Sequence, residues 1–297
     1  MLEIKNVYKG YDGKEVLKDV SFEVRKGEIH GLIGENSAGK TTLIKCLVGI
    51  YKAEKGEILY DGKPVFDQPK VKENIGYVAD YNSYLRGYTV GRLVKLYEAM
   101  YPDFSMEKFQ SMNEKFHLEM KSVVQSLSKG QKTKLAFMLA MSSGATYLIL
   151  DEPTSGMDVQ SRKDMLDILV SEVDERNLAV LVSSHNLEGL EKICDRATLI
   201  RNGEVVTTTD VEDFKNAFVK VQAVFPDGAP EAFYNRKGFV ERSNVGSIYT
   251  VVAPEEFETL QKELTGMGAN LVEPLPLSLE DSFLLMNKQK EKGEANQ

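Results

Sequence analysis

A glycine-rich segment that ends in a lysine and a threonine is the first part of the chain that could do chemistry. Residues 34–41 read GENSAGKT and match the pattern G-x-x-x-x-G-K-[ST] at every fixed position. In such a segment backbone N–H groups turn towards phosphate oxygens, the lysine supplies positive charge, and the threonine hydroxyl can bind Mg²⁺. The pattern therefore predicts a site for a nucleoside triphosphate. Its residues are Gly34, Glu35, Asn36, Ser37, Ala38, Gly39, Lys40, Thr41 and Thr42.

A second segment places two acids at the end of an apolar run. Residues 147–152 read YLILDE, and a buried strand would bring Asp151 to the carboxyl edge of a sheet, where α/β proteins bind ligands. We expect Asp151 to hold Mg²⁺ through its water shell and Glu152 to take a proton from an attacking water. The alternative is a strand that ends in solvent with two acids. The phosphate-binding segment in the same chain makes that alternative the weaker one.

Strands that alternate with helices must position these two motifs. A short strand at 30–33 precedes the glycine-rich turn, helical spacing follows over 40–50, and further apolar strands are predicted at 74–78, 147–150 and 178–183, with a short helix at 187–194. Such alternation predicts a mainly parallel α/β sheet. The N-terminal strands at 2–7 and 16–24 and the hairpin at 56–64 alternate apolar and polar residues, and 89–143 is a helical insertion.

The chain changes character after about residue 218. The pattern over 218–273 predicts strand, helix, strand, strand, helix, strand, with the second strand at 239–242, which is the order of a ferredoxin-like unit. We therefore expect a nucleotide-binding domain over 1–215, with its helical subdomain at about 89–143, and a C-terminal α+β domain over 218–287. A last helix is predicted at 279–287 and a flexible tail at 288–297.

Composition limits the classes of function. The chain has 297 residues and a formal net charge of -8, and an acidic protein is repelled by nucleic-acid backbones, so no nucleic-acid partner is expected. Its two cysteines, Cys46 and Cys194, are far apart, which argues against a disulfide framework or a zinc site and favours a cytoplasmic location. No apolar run approaches the roughly 20 residues of a membrane helix. A membrane role would therefore depend on a partner.

Three further segments resemble motifs of the ABC ATPases. Residues 127–131, LSKGQ, are similar to the LSGGQ signature, and residues 155–158, SGMD, resemble the D-loop. His185 follows the strand at 178–183, where the family places its switch histidine. All these segments occur in the family order over about residues 1–210. The compact length, the lysine in the third signature position and the ending LEDSF at 279–283 resemble the ATPases of ABC-2-type exporters, and most of all the YtrB-like bacterial group.

The resemblance implies a P-loop NTPase core, an ATPase activity and the cofactors ATP and Mg²⁺. Two subunits, identical or different, would face each other head to tail and drive transmembrane permease subunits from the inner face of the membrane. The resemblance implies that these are exporters. Tyr11 would stack on adenine, and Tyr8 is the alternative residue for this role. Tyr11 could instead pack in the core. Lys40, Glu152 and His185 would be catalytic. The signature residues acting in trans would be Ser128, Lys129, Gly130 and Gln131, and those of the D-loop Ser155, Gly156, Met157 and Asp158.

Four positions depart from the family pattern. Asp80 stands where the family has Gln or Glu, so the resemblance implies metal ligands at Thr41, Asp151 and Asp80, the last with a shorter reach. Lys129 replaces a signature glycine and would strain the backbone if that position needs a positive φ. Ser37 replaces a glycine that is common in the phosphate loop. Glu35 replaces a proline there and is expected to point into solvent, away from the phosphates.

Two other functions compete with a transport motor. A soluble ABC-type ATPase could act on ribosomes or DNA, but ribosome-acting members usually carry two cassettes, and DNA-repair members carry zinc cysteines or long coiled coils. A non-hydrolysing regulator would be expected to lack Glu152 or His185, and both are present.

The C-terminal domain carries no readable motif. We expect it to bury surface and stabilise a dimer, and the alternative is that it senses a ligand or gates closure.

Overall fold

The structure is a computed structural model that describes residues 1–81, 87–184, 192–216 and 218–277. These residues form two units that divide between Thr208 and Thr209, a few residues before the predicted domain boundary. The predictions for His185, for a helix over 187–194 (apart from its last residues), for the helix at 279–287 and for the tail fall outside the described residues.

The first unit contains an antiparallel sheet, a larger sheet and the helices that cover them. Its elements in chain order are β1 (Leu2–Tyr11), β2 (Lys14–Val24), β3 (Glu28–Ile33), α1 (Lys40–Leu47), β4 (Lys55–Tyr60), β5 (Lys63–Pro64), α2 (Pro69–Lys72), β6 (Ile75–Val78), α3 (Val90–Met100), α4 (Met106–Phe116), a 3-10 helix (Val124–Ser126), α5 (Lys129–Ser142), β7 (Tyr147–Asp151), α6 (Val159–Arg176), β8 (Ala179–Ser184), β9 (Arg196–Arg201) and β10 (Glu204–Asp210). The predicted fold class, an α/β core with an antiparallel β subdomain and a helical insertion, is confirmed.

The larger sheet carries both predicted motifs at the same edge. Its strand order is β10-β9-β3-β8-β7-β6, and β3 pairs in parallel with β8 and β9, as β7 does with β8 and β6. All residues of β3, β7 and β8 are buried, as expected for parallel strands that are covered on both faces. The carboxyl ends of β3 and β7 therefore lie at the same edge of the sheet, with only β8 between them. Each strand is followed by a polar loop.

One core fixes α1 behind the glycine-rich loop. Leu43, Ile44 and Leu47 of α1 are fully buried and belong to a cluster with side chains of both sheets, among them Ile58 and Ile149. The antiparallel sheet has the order β2-β1-β4-β5, and β4 turns into β5 at Asp61–Gly62, both with positive φ, as the sequence predicts. Burial of this apolar face holds the first turn of α1 in a fixed place.

Both native cysteines lie inside the first unit. Cys46 on α1 and Cys194 are free and buried. Burial raises the pKa of Cys46 to about 11 and raises the pKa of Cys194 as well.

The second unit is an antiparallel sheet with two helices that pack on it. Its elements are α7 (Val211–Asn216), β11 (Val219–Val224), α8 (Glu231–Asn235), β12 (Glu241–Val245), β13 (Ile248–Ala253), α9 (Phe257–Gly266) and β14 (Leu271–Leu275). After α7 the order is βαββαβ, and the sheet order β12-β13-β11-β14, antiparallel throughout, is that of a ferredoxin-like unit. The strand predicted at 239–242 begins two residues late, because Phe239 packs into the core of this unit.

No described helix combines the length and the apolar character needed to cross a bilayer.

Candidate functional site

The glycine-rich loop lies between β3 and α1, and two of its glycines are fixed by close approach. A Cβ on Gly34 would lie 2.4 Å from the carbonyl oxygen of Ile200, and one on Gly39 would lie 2.9 Å from Leu17 Cδ2. Gly39 also has a φ of 106° and precedes α1 without giving it a side-chain cap. The first N–H groups of α1 therefore have no side-chain acceptor. Such a helix N-terminus can bind an anion, because its free N–H groups and its dipole favour negative charge.

Lys40 is folded back onto the loop that precedes it. Its Nζ donates to the carbonyl oxygens of Gly34, at 2.6 Å, and Glu35, at 3.1 Å. Burial lowers the pKa of Lys40, and the carboxylates of Glu152 and Asp151 oppose that shift. The ammonium group of Lys40 is therefore held beside the two acids that the second motif supplies. Glu35 itself is exposed, which confirms that it points into solvent.

Asp151 ends β7 inside the protein, where hydroxyl groups surround it. The residue is 1% exposed, and Ser183 Oγ of β8 donates to Asp151 Oδ1 at 2.6 Å. Burial raises the pKa of Asp151, while hydrogen bonds from Ser183 and Thr41 oppose the rise. Thr41 and Asp151 come from motifs more than a hundred positions apart, and the structure brings their side chains into contact. Nothing in the sequence pattern indicated Ser183, because a serine on a strand is common.

The pair of Thr41 and Asp151 fits a magnesium ion that binds together with phosphates. Mg²⁺ usually keeps several waters and takes only one or two protein carboxylates besides its substrate oxygens. A hydroxyl and a carboxylate beside Lys40 supply such a set. The described residues contain no group of three or more His, Cys, Asp or Glu side chains that could hold a metal without a substrate.

Glu152 adopts an unusual backbone conformation. Its φ is 49°, in the left-handed region that residues with side chains rarely adopt. Its N–H donates to Ser183 Oγ at 3.1 Å, and its carbonyl oxygen accepts from the N–H of Ser155 at 3.1 Å. Surrounding structure thus holds a strained residue at the sheet edge, as is frequent at sites of chemistry.

Residues of the phosphate loop and Glu152 line one cleft with a volume of about 900 Å³. Both predicted motifs contribute to its wall, and so do residues that the sequence did not indicate, among them Lys14 and Lys18. The lining residues are Tyr11, Lys14, Glu15, Val16, Lys18, Asn36, Ser37, Gly39, Lys40, Thr41, Thr42, Asp80, Lys129, Glu152, Ser155 and Asn202. A cleft with cationic side chains around a helix start has the chemistry of a polyphosphate site.

Tyr11 rather than Tyr8 lines this cleft. Tyr11 is 40% exposed, and its ring meets Tyr51 edge to face with centroids 5.8 Å apart. Burial raises the pKa of Tyr11, and a hydrogen bond with Thr42 opposes the rise. The ring of Tyr8 instead lies under Lys55 Nζ at 5.4 Å. An exposed ring beside the phosphate loop could stack on a nucleotide base.

The signature segment begins α5 with a full capping box. Ser128 Oγ accepts from the N–H of Gln131 at 3.2 Å, and Gln131 Oε1 accepts from the N–H of Ser128 at 2.9 Å. Ser128 is therefore the N-cap of α5. Lys129 is the first residue of α5 and is not among the described residues with positive φ, so the backbone strain expected for it is absent.

The D-loop packs against the signature segment of the same chain. A Cβ on Gly130 would lie 2.6 Å from the carbonyl oxygen of Gly156, so this close approach requires a glycine. Met157 is buried, and Asp158 caps α6. Hydrogen bonds from the hydroxyl and the N–H of Ser161 hold the pKa of Asp158 at about 2.

Asp80 lies in the cleft, but its side chain has a cationic partner. Lys129 Nζ donates to Asp80 Oδ1 at 2.7 Å and also to Ser155 Oγ at 3.0 Å. The sequence placed Asp80 beside a metal and did not indicate this ion pair, because the two residues are 49 positions apart.

The remaining histidines are structural in this fold. His30 is fully buried on β3, with Nε2 2.8 Å from Thr198 Oγ1. Burial lowers the pKa of His30, although Glu28 lies beside it and opposes that shift. His117 ends α4 with a φ of 53°.

A family model and individual proteins of known sequence are similar to this chain. Residues 17–155 match the family model described as ABC transporter. The chain is 32% identical to the ABC transporter ATP-binding protein YtrB of Bacillus subtilis, over 96% of this chain and 97% of YtrB. It is also 32% identical to the SkfA peptide export ATP-binding protein SkfE of the same organism, over 72% of this chain and 91% of SkfE.

A solved structure of an ATP-binding subunit of an ABC transporter has a similar fold. Its TM-score is 0.67 at 28% sequence identity, and the match covers 72% of this chain and 92% of that one.

Proposed function

This chain belongs to the family of ABC transporter ATP-binding proteins, and on that premise we propose that its cleft binds ATP with Mg²⁺ and hydrolyses it to drive separate membrane subunits. The observation that carries the proposal is the convergence of two distant motifs. Asp151 at the end of β7 lies beside Thr41 of the phosphate loop, which opposes the rise in the pKa of Asp151, and Thr41, Lys40 and Glu152 line one cleft. An ATPase needs these groups together, because phosphate, metal and water must meet in one place.

Each residue has a role that follows from its chemistry. Backbone N–H groups of residues 34–41 and the first turn of α1 bind the phosphate oxygens. Lys40, which now donates to two loop carbonyls, binds the β- and γ-phosphates as a point charge. Tyr11 stacks on the adenine ring. Glu152 accepts a proton from the attacking water.

Thr41 and Asp151 would hold the magnesium ion. When it is bound, the ion neutralises charge that develops on the phosphate oxygens during transfer. The part of this chain is to orient the two ligands. Ser183 fixes the Asp151 carboxylate through a 2.6 Å hydrogen bond, so that the carboxylate stays beside Thr41.

Two subunits would share each ATP. The N-terminus of α5, with Ser128 as its cap and Gly130 buried behind it, would meet the γ-phosphate held by the other subunit. His185 would contact the same phosphate. Closure that depends on the γ-phosphate would be reversed by hydrolysis, and this cycle would move the membrane subunits.

We place the subunit on the inner face of the membrane and expect an exporter. The protein SkfE, which is similar over 72% of this chain, is named for peptide export. The second unit is proposed to stabilise the pair of subunits. Its core is formed by apolar and aromatic side chains.

The central test removes the base and leaves the rest of the cleft intact. Glu152→Gln should lower kcat at least about 100-fold, because the amide cannot take a proton. It should keep ATP binding and accumulate as a dimer with ATP in light scattering. Glu114→Gln makes the same change at an exposed position of α4 and should leave kcat unchanged. Turnover of Glu152→Gln at the wild-type rate would refute the role of this residue.

The membrane role needs a separate test. The chain should co-purify from membranes with permease subunits that are expressed together with it. Recovery only in the soluble fraction under those conditions would contradict the proposal. Recovery with ribosomes or DNA at low salt would favour the competing function instead.

A further inference from the structure

Lys129 connects three segments that sequence motifs treat as separate. Its Nζ donates to Asp80 Oδ1 at 2.7 Å, beyond the end of β6, and to Ser155 Oγ at 3.0 Å, in the turn that follows Glu152. Lys129 itself begins α5. All three residues line the cleft that contains Lys40 and Thr41. One ammonium group therefore joins the signature helix, the end of β6 and the turn after β7 within a single subunit.

The contact does not depend on the ammonium group alone. A Cβ on Gly156 would lie 3.5 Å from Lys129 Cδ and 3.6 Å from Cγ, so the methylene stem of Lys129 lies over Gly156. Gly156 has a φ of 75°, and the neighbouring Gly130 approaches its carbonyl oxygen too closely for any side chain. Two backbone segments thus pack directly on each other, and the lysine stem covers their contact.

A short series of hydrogen bonds leads from Lys129 to the backbone of Glu152. Ser155 accepts from Lys129 through its hydroxyl, and its N–H donates to the carbonyl oxygen of Glu152 at 3.1 Å. Glu152 has a φ of 49°, a conformation that neighbouring contacts must hold in place. If Ser155 became more mobile, the backbone of Glu152 would therefore lose one of the contacts that hold its conformation.

We propose that Lys129 is a positioning residue for hydrolysis in its own subunit, where it holds the 152–155 turn while Asp80 orients the lysine. This inference rests on the function proposed above and deepens it. It assigns Asp80 to Lys129 rather than to the metal, and it gives Lys129 a role besides the one expected in the opposite subunit.

The expected effect is modest, because both partners are half exposed. Lys129 is 48% and Asp80 is 46% exposed, and exposed ion pairs couple by no more than about fivefold in an equilibrium or rate constant. Lys129→Ala and Asp80→Ala should each lower kcat about fivefold and leave the Kd for ATP within about twofold. A structural defect in the loop that binds phosphate would instead change Kd.

The decisive measurement is the double variant. Asp80→Ala with Lys129→Ala should have the kcat of either single variant, because both changes break the same contact. Losses that multiply to about 25-fold in the double variant would overturn the proposal.

Two further arms separate this proposal from its alternatives. The ratio of ATP affinity with Mg²⁺ to that with EDTA should be unchanged in Asp80→Ala, and a reduced ratio would place Asp80 at the metal and refute the pairing. Lys132→Ala removes a charge from the same helix outside the cleft and should leave kcat unchanged. A Glu152→Gln variant that still turns over would defeat both proposals, whereas multiplying losses with an inactive Glu152→Gln would defeat only this one.

Discussion

The cleft of the first unit and the core of the second unit differ in what lies buried and in where the backbone is strained. At the cleft, Lys40 and Asp151 are buried, and Ser37 and Glu152 have positive φ. In the described part of the second unit every residue with positive φ is a glycine, and its buried side chains are apolar or aromatic. Burying a charge costs free energy unless partners stabilise it. A residue with a side chain in the left-handed region of the backbone adds a further cost in free energy. Such costs persist where a function requires them, so the difference separates a region built for chemistry from one built for packing.

The largest expected effect lies in the second unit and should leave the cleft untouched. Phe233 is 1% exposed and contacts the rings of Phe225, Phe239 and Tyr249 at 5.3–5.5 Å between centroids. Phe233→Ala should destabilise this unit by about 3–5 kcal/mol, because it leaves a cavity among aromatic rings. Denaturant unfolding of the full chain would measure the loss, and ATP affinity should stay the same.

Tyr234→Ala is the matched control for that change. Tyr234 follows Phe233 in α8 but is 48% exposed, so its removal should cost only about 1 kcal/mol. Equal losses for the two variants would show that Phe233 is not the centre of the packed cluster.

The next effect is at the cleft and should leave stability nearly unchanged. Lys40→Ala removes the ammonium group that donates to Gly34 and Glu35, and charged hydrogen bonds to a ligand contribute about 1.5–3 kcal/mol. ATP affinity should fall by a factor of about 10 to 100. Equilibrium binding of ATP would measure it, with Lys132→Ala as a control that keeps wild-type affinity. Unchanged binding in Lys40→Ala would overturn the assignment of the phosphate loop.

The smallest expected effect concerns the backbone strain at Ser37 in the cleft. Ser37 has a φ of 70°, which a glycine adopts without cost. Ser37→Gly should stabilise the first unit by roughly 0.5–1 kcal/mol in the absence of nucleotide, since relief of strain exceeds the added entropy of the unfolded chain. Ser37→Ala also removes the hydroxyl but keeps the strain, so it should give no gain. A gain from Ser37→Ala equal to that from Ser37→Gly would assign the effect to the hydroxyl.

The sequence predicted the elements that carry strong local signals. The strands β3, β7 and β8 are short apolar runs buried on both faces, and the glycine turn between β3 and α1 has a pattern with few other uses. It also predicted the order of the second unit. The prediction of β12 was shifted because its residues are all exposed and do not alternate, so Phe239 was taken as part of the strand.

Contacts between distant residues could not be predicted in the same way. Ser183 beside Asp151 and Lys129 beside Asp80 are ordinary residues at unremarkable spacings, and only the packing of strands and helices brings them together. Lys129 departs from the family pattern, and the sequence suggested a backbone cost there. The fold instead places Lys129 in a helix and uses its long side chain in the cleft.

The burial of both native thiols has a practical consequence for following subunit association. Thiolate is the reactive form of cysteine, and burial keeps Cys46 and Cys194 protonated at neutral pH. A cysteine introduced at the exposed Glu114 would therefore react with a maleimide spin label in preference to either native residue. Distances between two labelled copies could then be measured by pulsed electron resonance in a chain that retains its native cysteines.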